Sequence, residues 1–142
     1  MKKVALIITS AFALSACSQS VTNITDRTAS LCGEKPNCVS TQDSRDEHSL
    51  AAFELTDTAT LDKIELVALS LSGSKTAKKT DNYLRIECTT SIMRFVDDFE
   101  VKREGNHLLV RSESRTGYSD FGVNRKRAEK FRTALKEQKL IK

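Results

Sequence analysis

The side chains in this sequence best suited to chemistry are acidic and basic groups, with one amide, crowded between positions 94 and 125. They are Arg94, Asp97, Asp98, Glu100, Arg111, Arg115, Asp120, Asn124 and Arg125. Arginine and carboxylate groups form strong two-pronged pairs, and each pair fixes orientation as well as contributing energy. We therefore predict that this set is a structural charge network, which pins the loop between a strand and the last helix.

An anion site is the first alternative for these residues. The segment 117–124 would place backbone N–H groups at a helix N-terminus, which is a favourable position for an anion. Arg115 and Arg125 flank it and suit a carboxylate or a phosphate. Asp120 opposes this hypothesis, because its own negative charge falls at the same place and could simply cap the helix.

A metal site is the second alternative, since carboxylate oxygens are good ligands for divalent cations. The candidate ligands are Asp97, Asp98, Glu100 and Glu113. Neighbouring arginines compete for these carboxylates, and a zinc site would need closely paired cysteines and more than two histidines. We expect neither a metal nor a cofactor.

Catalysis would have to use one of two histidines, His48 or His107. His107 falls at a predicted turn, whereas His48 lies in a polar loop with Ser40 or Ser112 as conceivable nucleophiles. No G-x-S-x-G or comparable motif supports such a pair. We predict a non-catalytic protein; the alternative is a hydrolase-like or anion-binding protein that uses His48 and the arginine-rich loop 111–127.

The N-terminal segment predicts export. Lys2 and Lys3 precede an apolar run over residues 4–14, which is about half the length that a membrane-spanning helix needs. The string Leu14-Ser15-Ala16-Cys17 resembles the lipobox of bacterial lipoproteins. The resemblance implies a signal peptide over residues 1–16 and acyl chains, palmitate among them, on Cys17; a plain signal peptide cleaved near Ala16 is the alternative.

The lipobox resemblance also implies a location. Ser18 rather than aspartate follows the cysteine, and this favours the outer membrane, with the domain facing the periplasm. Residues 17–31 are rich in Ser and Thr, so we predict a flexible tether, followed by one domain over residues 32–142. Removal of residues 1–16, which contain two lysines and no acids, would lower the net charge from +4 to +2. This small charge, together with export, argues against nucleic acid as a partner. We expect the partners to be the membrane, through the lipid, and an envelope protein or a small anionic ligand.

Three cysteines would follow the lipidated one. In an oxidising envelope Cys32 and Cys38, with a Pro-Asn turn between them, predict a disulfide that stabilises the fold by about 2 kcal/mol. Cys88 is in phase with apolar residues of an alternating strand, so we predict that it is buried and unpaired.

The elements that must position these residues are two helices and a few strands. Apolar spacing predicts a first helix that Thr60 caps and Gly73 ends, although residues 66–69 could also form a strand. Strands are predicted over 76–80 and 83–90. A second helix is predicted from Asn124 as its N-cap, with a solvated basic face of Arg125, Lys126, Arg127, Lys130, Arg132 and Lys136.

The clearest local prediction is a hairpin of residues 99–104 and 107–112 around Gly105-Asn106, a type II′ turn. Its register pairs Glu100 with Arg111 and sets Asp98 against Glu113, a like-charge pair that costs energy unless a cation lies nearby. Arg94 or Arg115 could supply that cation. The predicted fold is α+β: a small antiparallel sheet of three to four strands with both helices on one face.

Three segments carry a family resemblance. They are residues 32–40 (CGEKPNCVS), 94–100 (RFVDDFE) and 111–127 (RSESRTGYSDFGVNRKR). Together and in this order they resemble the bacterial family called domain of unknown function 1499, in which the position of Glu113 is more often a small residue. The resemblance implies no particular activity.

Overall fold

The computed structural model describes residues 25–142, and the predicted signal peptide and Cys17 lie outside the described residues. The strands are β1 (Cys38–Ser40), β2 (Phe53–Glu54), β3 (Ser74–Lys79), β4 (Tyr83–Thr89), β5 (Val96–Glu104) and β6 (His107–Ser114). The helices are α1 (Leu61–Leu69) and α2 (Val123–Glu137). No helix in this part of the chain is both long and apolar enough to cross a lipid bilayer.

All six strands join one antiparallel sheet in the order β1-β6-β5-β4-β3, and β2 also pairs with β6. The prediction of a sheet of three to four strands is therefore wrong, although the α+β class holds. The missed strands β1 and β2 have three and two residues. Segments this short show no alternation of apolar and polar residues, so only their pairing with β6 identifies them.

The central hairpin is confirmed in its predicted register. Glu100 lies opposite Arg111, and Asp98 lies opposite Glu113. Gly105 has φ of 60°, whereas Asn106 is not left-handed, as a type II′ turn requires. The two strands extend beyond the prediction at both outer ends, and this extension carries Asp97, Asp98 and Glu113.

The first helix is confirmed at its start and ends earlier than predicted. The Thr60 hydroxyl accepts a hydrogen bond from the Lys63 amide at 3.3 Å, so it is the N-cap. The helix ends at Leu69, before Gly73. Gly73 instead lies against the end of β4, where an added Cβ would stand 2.1 Å from the Thr89 carbonyl oxygen.

The two faces of the sheet differ in kind. Alternate residues on one face, among them Ile86, Phe99 and Val110, share a continuous apolar core with α1 and α2. Phe99 meets Phe131 of α2 edge to face, with ring centres 5.0 Å apart. The opposite face carries charged residues, and we call it the charged face.

Candidate functional site

The charged face contains two rungs of residues that run across β4, β5 and β6. Arg85, Glu100 and Arg111 form one rung of alternating sign. Glu87, Asp98 and Glu113 form the next, and all three are acidic. Like charges directly opposite one another destabilise a sheet. The second rung therefore requires cations from outside it.

Arg115 supplies the first of these cations, as the hairpin register predicted. Its guanidinium lies 2.9 and 2.7 Å from the two carboxylate oxygens of Asp98 and 2.6 Å from Glu87. The hydrogen bonds that Arg115 donates to Asp98 are the main cause that raises the pKa of Arg115, while burial opposes it. Arg85 adds a further contact to Asp98 at 3.3 Å.

Arg27 supplies the second cation, and the sequence contained no local signal for it. Its guanidinium lies 2.6 Å from Glu113, 3.0 Å from Glu100 and 3.6 Å from Asp98. The Arg27 amide also donates to Glu100 at 3.1 Å. The partner is 73 residues away along the chain, so no periodicity could indicate it.

Tyr83 and Arg111 complete the network of the charged face. The Tyr83 hydroxyl donates to Glu100 at 2.7 Å, and burial followed by this carboxylate raises the pKa of Tyr83. Arg111 donates to the Ser30 carbonyl at 2.9 Å and pairs with Glu113 at 3.1 Å. Four arginines (Arg27, Arg85, Arg111 and Arg115) thus balance four acids (Glu87, Asp98, Glu100 and Glu113).

The segment that contributes Arg27 lies in the predicted tether. Asp26 pairs with Lys102 at 2.9 Å, and Thr28 is fully buried. Residues 26–31 therefore form an N-terminal strap over the charged face. The predicted boundaries of signal peptide and tether stay predictions for residues 1–24.

A second polar cluster centres on Asn124, which is buried inside α2. Its side-chain amide donates to the Asn37 carbonyl at 3.0 Å and to Asp120 at 2.7 Å, and its oxygen accepts from Ser112 at 2.6 Å. Asn124 is therefore not the N-cap, and that prediction is wrong. The N-cap position is Gly122. The Asp120 carboxylate, two residues before it, accepts the Asn124 amide at 2.7 Å and the Gly122 amide at 2.9 Å, and so its side chain caps the start of the helix.

The basic face of α2 is only partly solvated, which corrects a second prediction. Arg127 pairs with buried Asp97 at 2.6 Å, and Arg125 donates to the Ser49 carbonyl at 2.8 Å. Arg132 lies 3.7 Å from the centre of the Phe53 ring. The three lysines of this face, Lys126, Lys130 and Lys136, are exposed. The arginines are bound and the lysines are exposed because guanidinium groups stack on rings and donate to several acceptors at once.

Arg94 does not join either cluster. It is exposed, has φ of 56°, and forms no ion pair with any residue that the structure describes. Asp97, Asp98, Glu100, Arg111, Arg115, Asp120 and Asn124 are brought together in the two clusters, while Arg125 binds backbone carbonyls at their margin. Within residues 25–142, no group of acids, histidines and cysteines could hold a metal ion.

His48 lies beside the disulfide and not beside a nucleophile. The Cys32–Cys38 disulfide is confirmed, and Cys88 is buried and unpaired. His48 is fully buried, with Nδ1 2.9 Å from the Cys38 carbonyl and Nε2 3.3 Å from a Glu47 carboxylate oxygen. Among the described residues no hydroxyl or thiol hydrogen-bonds to it. The geometry does not support nucleophilic catalysis at His48.

Asp43 holds the disulfide loop in place. Its carboxylate accepts from the Cys32 amide at 3.0 Å and forms two-pronged contacts with Arg45 at 2.7 and 3.0 Å. The Arg45 hydrogen bond is the largest cause that lowers the pKa of Asp43, and burial only partly opposes it. The reasoning from sequence did not single out this pair.

A patch of exposed apolar side chains lies at the end of the sheet where β5 begins and β6 ends. We call it the apolar rim; it consists of Ile92, Met93, Phe95, Tyr118, Phe121 and Val123. Phe121 is 90% exposed and Ile92 is 87% exposed. Loops 90–95 and 116–122, together with Val123 at the start of α2, bring all of these residues except Tyr118 around one cavity of about 480 Å³. Contiguous exposed apolar surface on a small domain marks an interaction site.

A basic groove of about 310 Å³ adjoins the apolar rim. Thr90, Ser91 and Val123 line both the groove and the rim cavity. Lys126 and Lys130 of α2 line the groove, and neither forms an ion pair among the described residues. The sequence signal for this surface was weak: two loops outside the predicted elements contain apolar residues where turns are usually polar.

Comparison with known families gives one match. Residues 28–135 match the family described as "Protein of unknown function (DUF1499)". A comparison with curated proteins and another with solved structures gave no match. The match covers the disulfide, the apolar rim and both polar clusters except Arg27.

Proposed function

Because the chain belongs to the DUF1499 family, whose description assigns no activity, we propose from its geometry that it is a lipid-anchored envelope protein with a non-catalytic binding domain. In this proposal Cys17 carries the lipid, in the outer membrane, and the domain faces the periplasm. The apolar rim is the binding surface.

The observation that carries the binding role is the contrast between the charged clusters and the apolar rim. The acids and arginines that could have bound a ligand are already paired with one another and largely buried. Three arginine nitrogens in the charged face, Arg27 Nη2, Arg85 Nε and Arg111 Nε, lack a hydrogen-bond partner among the described residues. All three atoms are buried, so the network offers little to a ligand. The rim, by contrast, leaves apolar surface in water, which costs free energy unless a partner covers it.

The disulfide supports the envelope location. Disulfides persist in oxidising compartments and are rare in the reducing cytosol. The Cys32–Cys38 bond lies next to the strap, with the Arg111 guanidinium 3.9 Å from the Cys32 sulfur. An exported protein with the predicted signal peptide would reach such a compartment.

The lipid is tested by labelling growing cells with an alkyne analogue of palmitate. We expect the full chain to incorporate the label and the Cys17→Ala variant to lose it. Cys88→Ala is the matched control, because that thiol is buried and unpaired in the fold. Label that persists in Cys17→Ala would refute lipidation at this residue.

The rim is tested by thiol accessibility. Cys88 is buried and two cysteines form the disulfide, so a new surface cysteine is the only reactive thiol once Cys17 is acylated. We expect Phe121→Cys to react with a maleimide rapidly in detergent-purified protein and slowly in intact envelopes. Leu66→Cys, on exposed α1, should react equally in both. Equal reactivity of Phe121→Cys in both preparations would refute the rim as an occupied surface.

A further inference from the structure

We infer that the apolar rim docks on an anionic lipid bilayer, the same membrane to which the proposed anchor holds the protein. This inference rests on the proposed function of the rim and adds its occupant. The rim residues would enter the interface between headgroups and acyl chains, and the neighbouring basic groups would contact lipid phosphates.

The chemistry of the rim suits an interface. Membrane interfaces favour aromatic side chains, and aliphatic groups enter the acyl boundary. The sequence of α2 alone lacks this combination, because its exposed face is basic without exposed aromatics. The fold supplies the missing groups, since Phe95, Tyr118 and Phe121 lie on loops next to the start of α2.

The charges around the rim are complementary to anionic lipid. Arg94, Lys126 and Lys130 are exposed and form no ion pairs among residues 25–142. The carboxylates that line the same cavity are already engaged, because Asp97 pairs with Arg127 and Asp120 caps α2. The surface therefore presents net positive charge beside apolar groups, the pattern that binds anionic membranes.

The backbone holds the rim outward. Arg94 and Phe121 both have positive φ, 56° and 52°, which is rare for residues with a side chain. Such conformations persist only where surrounding contacts impose them. Here the Asp120 cap and the Thr90–Phe95 hydrogen bonds hold the two loops.

The anchor can reach the plane of the rim. The strap enters the fold where Asp26 pairs with Lys102, at the other end of β5 from the rim. Lys102 lies six residues along β5 from Val96, which is at the rim end of the strand. Six strand residues span about 20 Å, so the strap enters about that far from the rim. The chain from Cys17 to Asp26 can span up to about 30 Å. Its covalent length therefore permits the lipid and the rim to meet one bilayer.

A tryptophan reporter tests this inference, because the chain contains no tryptophan. The lipidated full chain with Phe121→Trp is reconstituted into phosphatidylcholine vesicles that contain about one third phosphatidylglycerol. We expect a blue shift of emission and quenching by brominated acyl chains. Leu66→Trp, exposed on α1, is the matched control and should stay unquenched.

The charges are tested in the same vesicles. Replacing Lys126 and Lys130 by alanine should lower the ratio of docked to undocked protein by about fivefold for each lysine. Replacing Lys136, the exposed lysine at the far end of α2, should change it much less. Vesicles of phosphatidylcholine alone should dock the protein weakly.

The outcomes separate this inference from the proposed function. If Phe121→Trp stays unquenched in these vesicles while Phe121→Cys is protected in envelopes, the rim binds a protein and lipid docking is refuted. If quenching does not depend on phosphatidylglycerol or on the lysines, the charge argument is refuted. If the thiol is unprotected in envelopes, the proposed function itself fails.

Discussion

The two faces of the sheet are made from alternating residues of the same strands, yet they are stabilised differently. Phe99 faces the helices in an apolar core, and its neighbour Glu100 faces the strap in the charged face. Burial of Phe99 releases apolar surface from water and is favourable without any specific partner. Burial of Glu100 costs desolvation free energy, which only complete pairing offsets.

The difference teaches what each face contributes. The apolar core supplies most of the stability, because hydrophobic burial is the dominant favourable contribution to folding. The charged face fixes the relative positions of its side chains, since Glu100 has its hydrogen-bond partners only when Arg27 and Tyr83 are in place. We hypothesise that these pairs select the position of the strap.

The largest expected effect is on the core. Phe99→Ala should lower the free energy of unfolding by about 4 kcal/mol, because it removes a fully buried ring and leaves a cavity against Phe131. Urea unfolding measures it. Phe95→Ala, in the exposed rim, is the control and should change stability by about 0.5 kcal/mol or less. A smaller loss at Phe99 than at Phe95 would contradict the assignment of the core.

The next effect is on the charged face. Glu100→Gln should lower the free energy of unfolding by about 3 kcal/mol, because it removes the charge of a fully buried carboxylate that pairs with Arg27 and accepts from Tyr83. The same variant should expose the strap to limited proteolysis near Arg27. Glu104→Gln, at the exposed end of β5, is the control. If Glu100→Gln unfolds the protein no more easily than Glu104→Gln, the charged face does not hold the strap.

The smallest of the three effects is at Asp43, which holds the disulfide loop through Cys32 and Arg45. Its pKa is lower in the folded protein than in the unfolded chain, so its stabilisation is present above the ordinary aspartate pKa and is lost as the pH falls below about 4. Asp43→Asn should cost about 2 kcal/mol at neutral pH and less in acid.

The measurement is urea unfolding of Asp43→Asn and the unaltered protein at several pH values between neutral and about 2. The two stabilities should converge as the pH falls. For Asp57→Asn, in an exposed loop, the free energy of unfolding should vary with pH as it does for the unaltered protein. A gap that stays constant down to the lowest pH would contradict the role of the Asp43 carboxylate.

Prediction from sequence succeeded where neighbours along the chain decide the structure. The hairpin follows from Gly105 and alternating residues, and the start of α1 follows from Thr60. The same reasoning placed the N-cap of α2 at Asn124, because asparagine is a good capping residue. The buried cluster in which Asn124 hydrogen-bonds to Ser112 and Asn37 could not be inferred from its neighbours in the chain. It also missed β1 and β2, whose pairing with β6 is long-range.

The sequence by itself determined the local elements, the disulfide and the need for a cation beside Asp98 and Glu113, because each depends on residues close in the chain or in one hairpin. Only the tertiary structure decided that Arg27 provides part of that charge and that loops 90–95 and 116–122 form one apolar rim. The physical reason is distance along the chain. Such contacts depend on sheet order and on where loops close in space, and no periodicity of neighbouring residues encodes either.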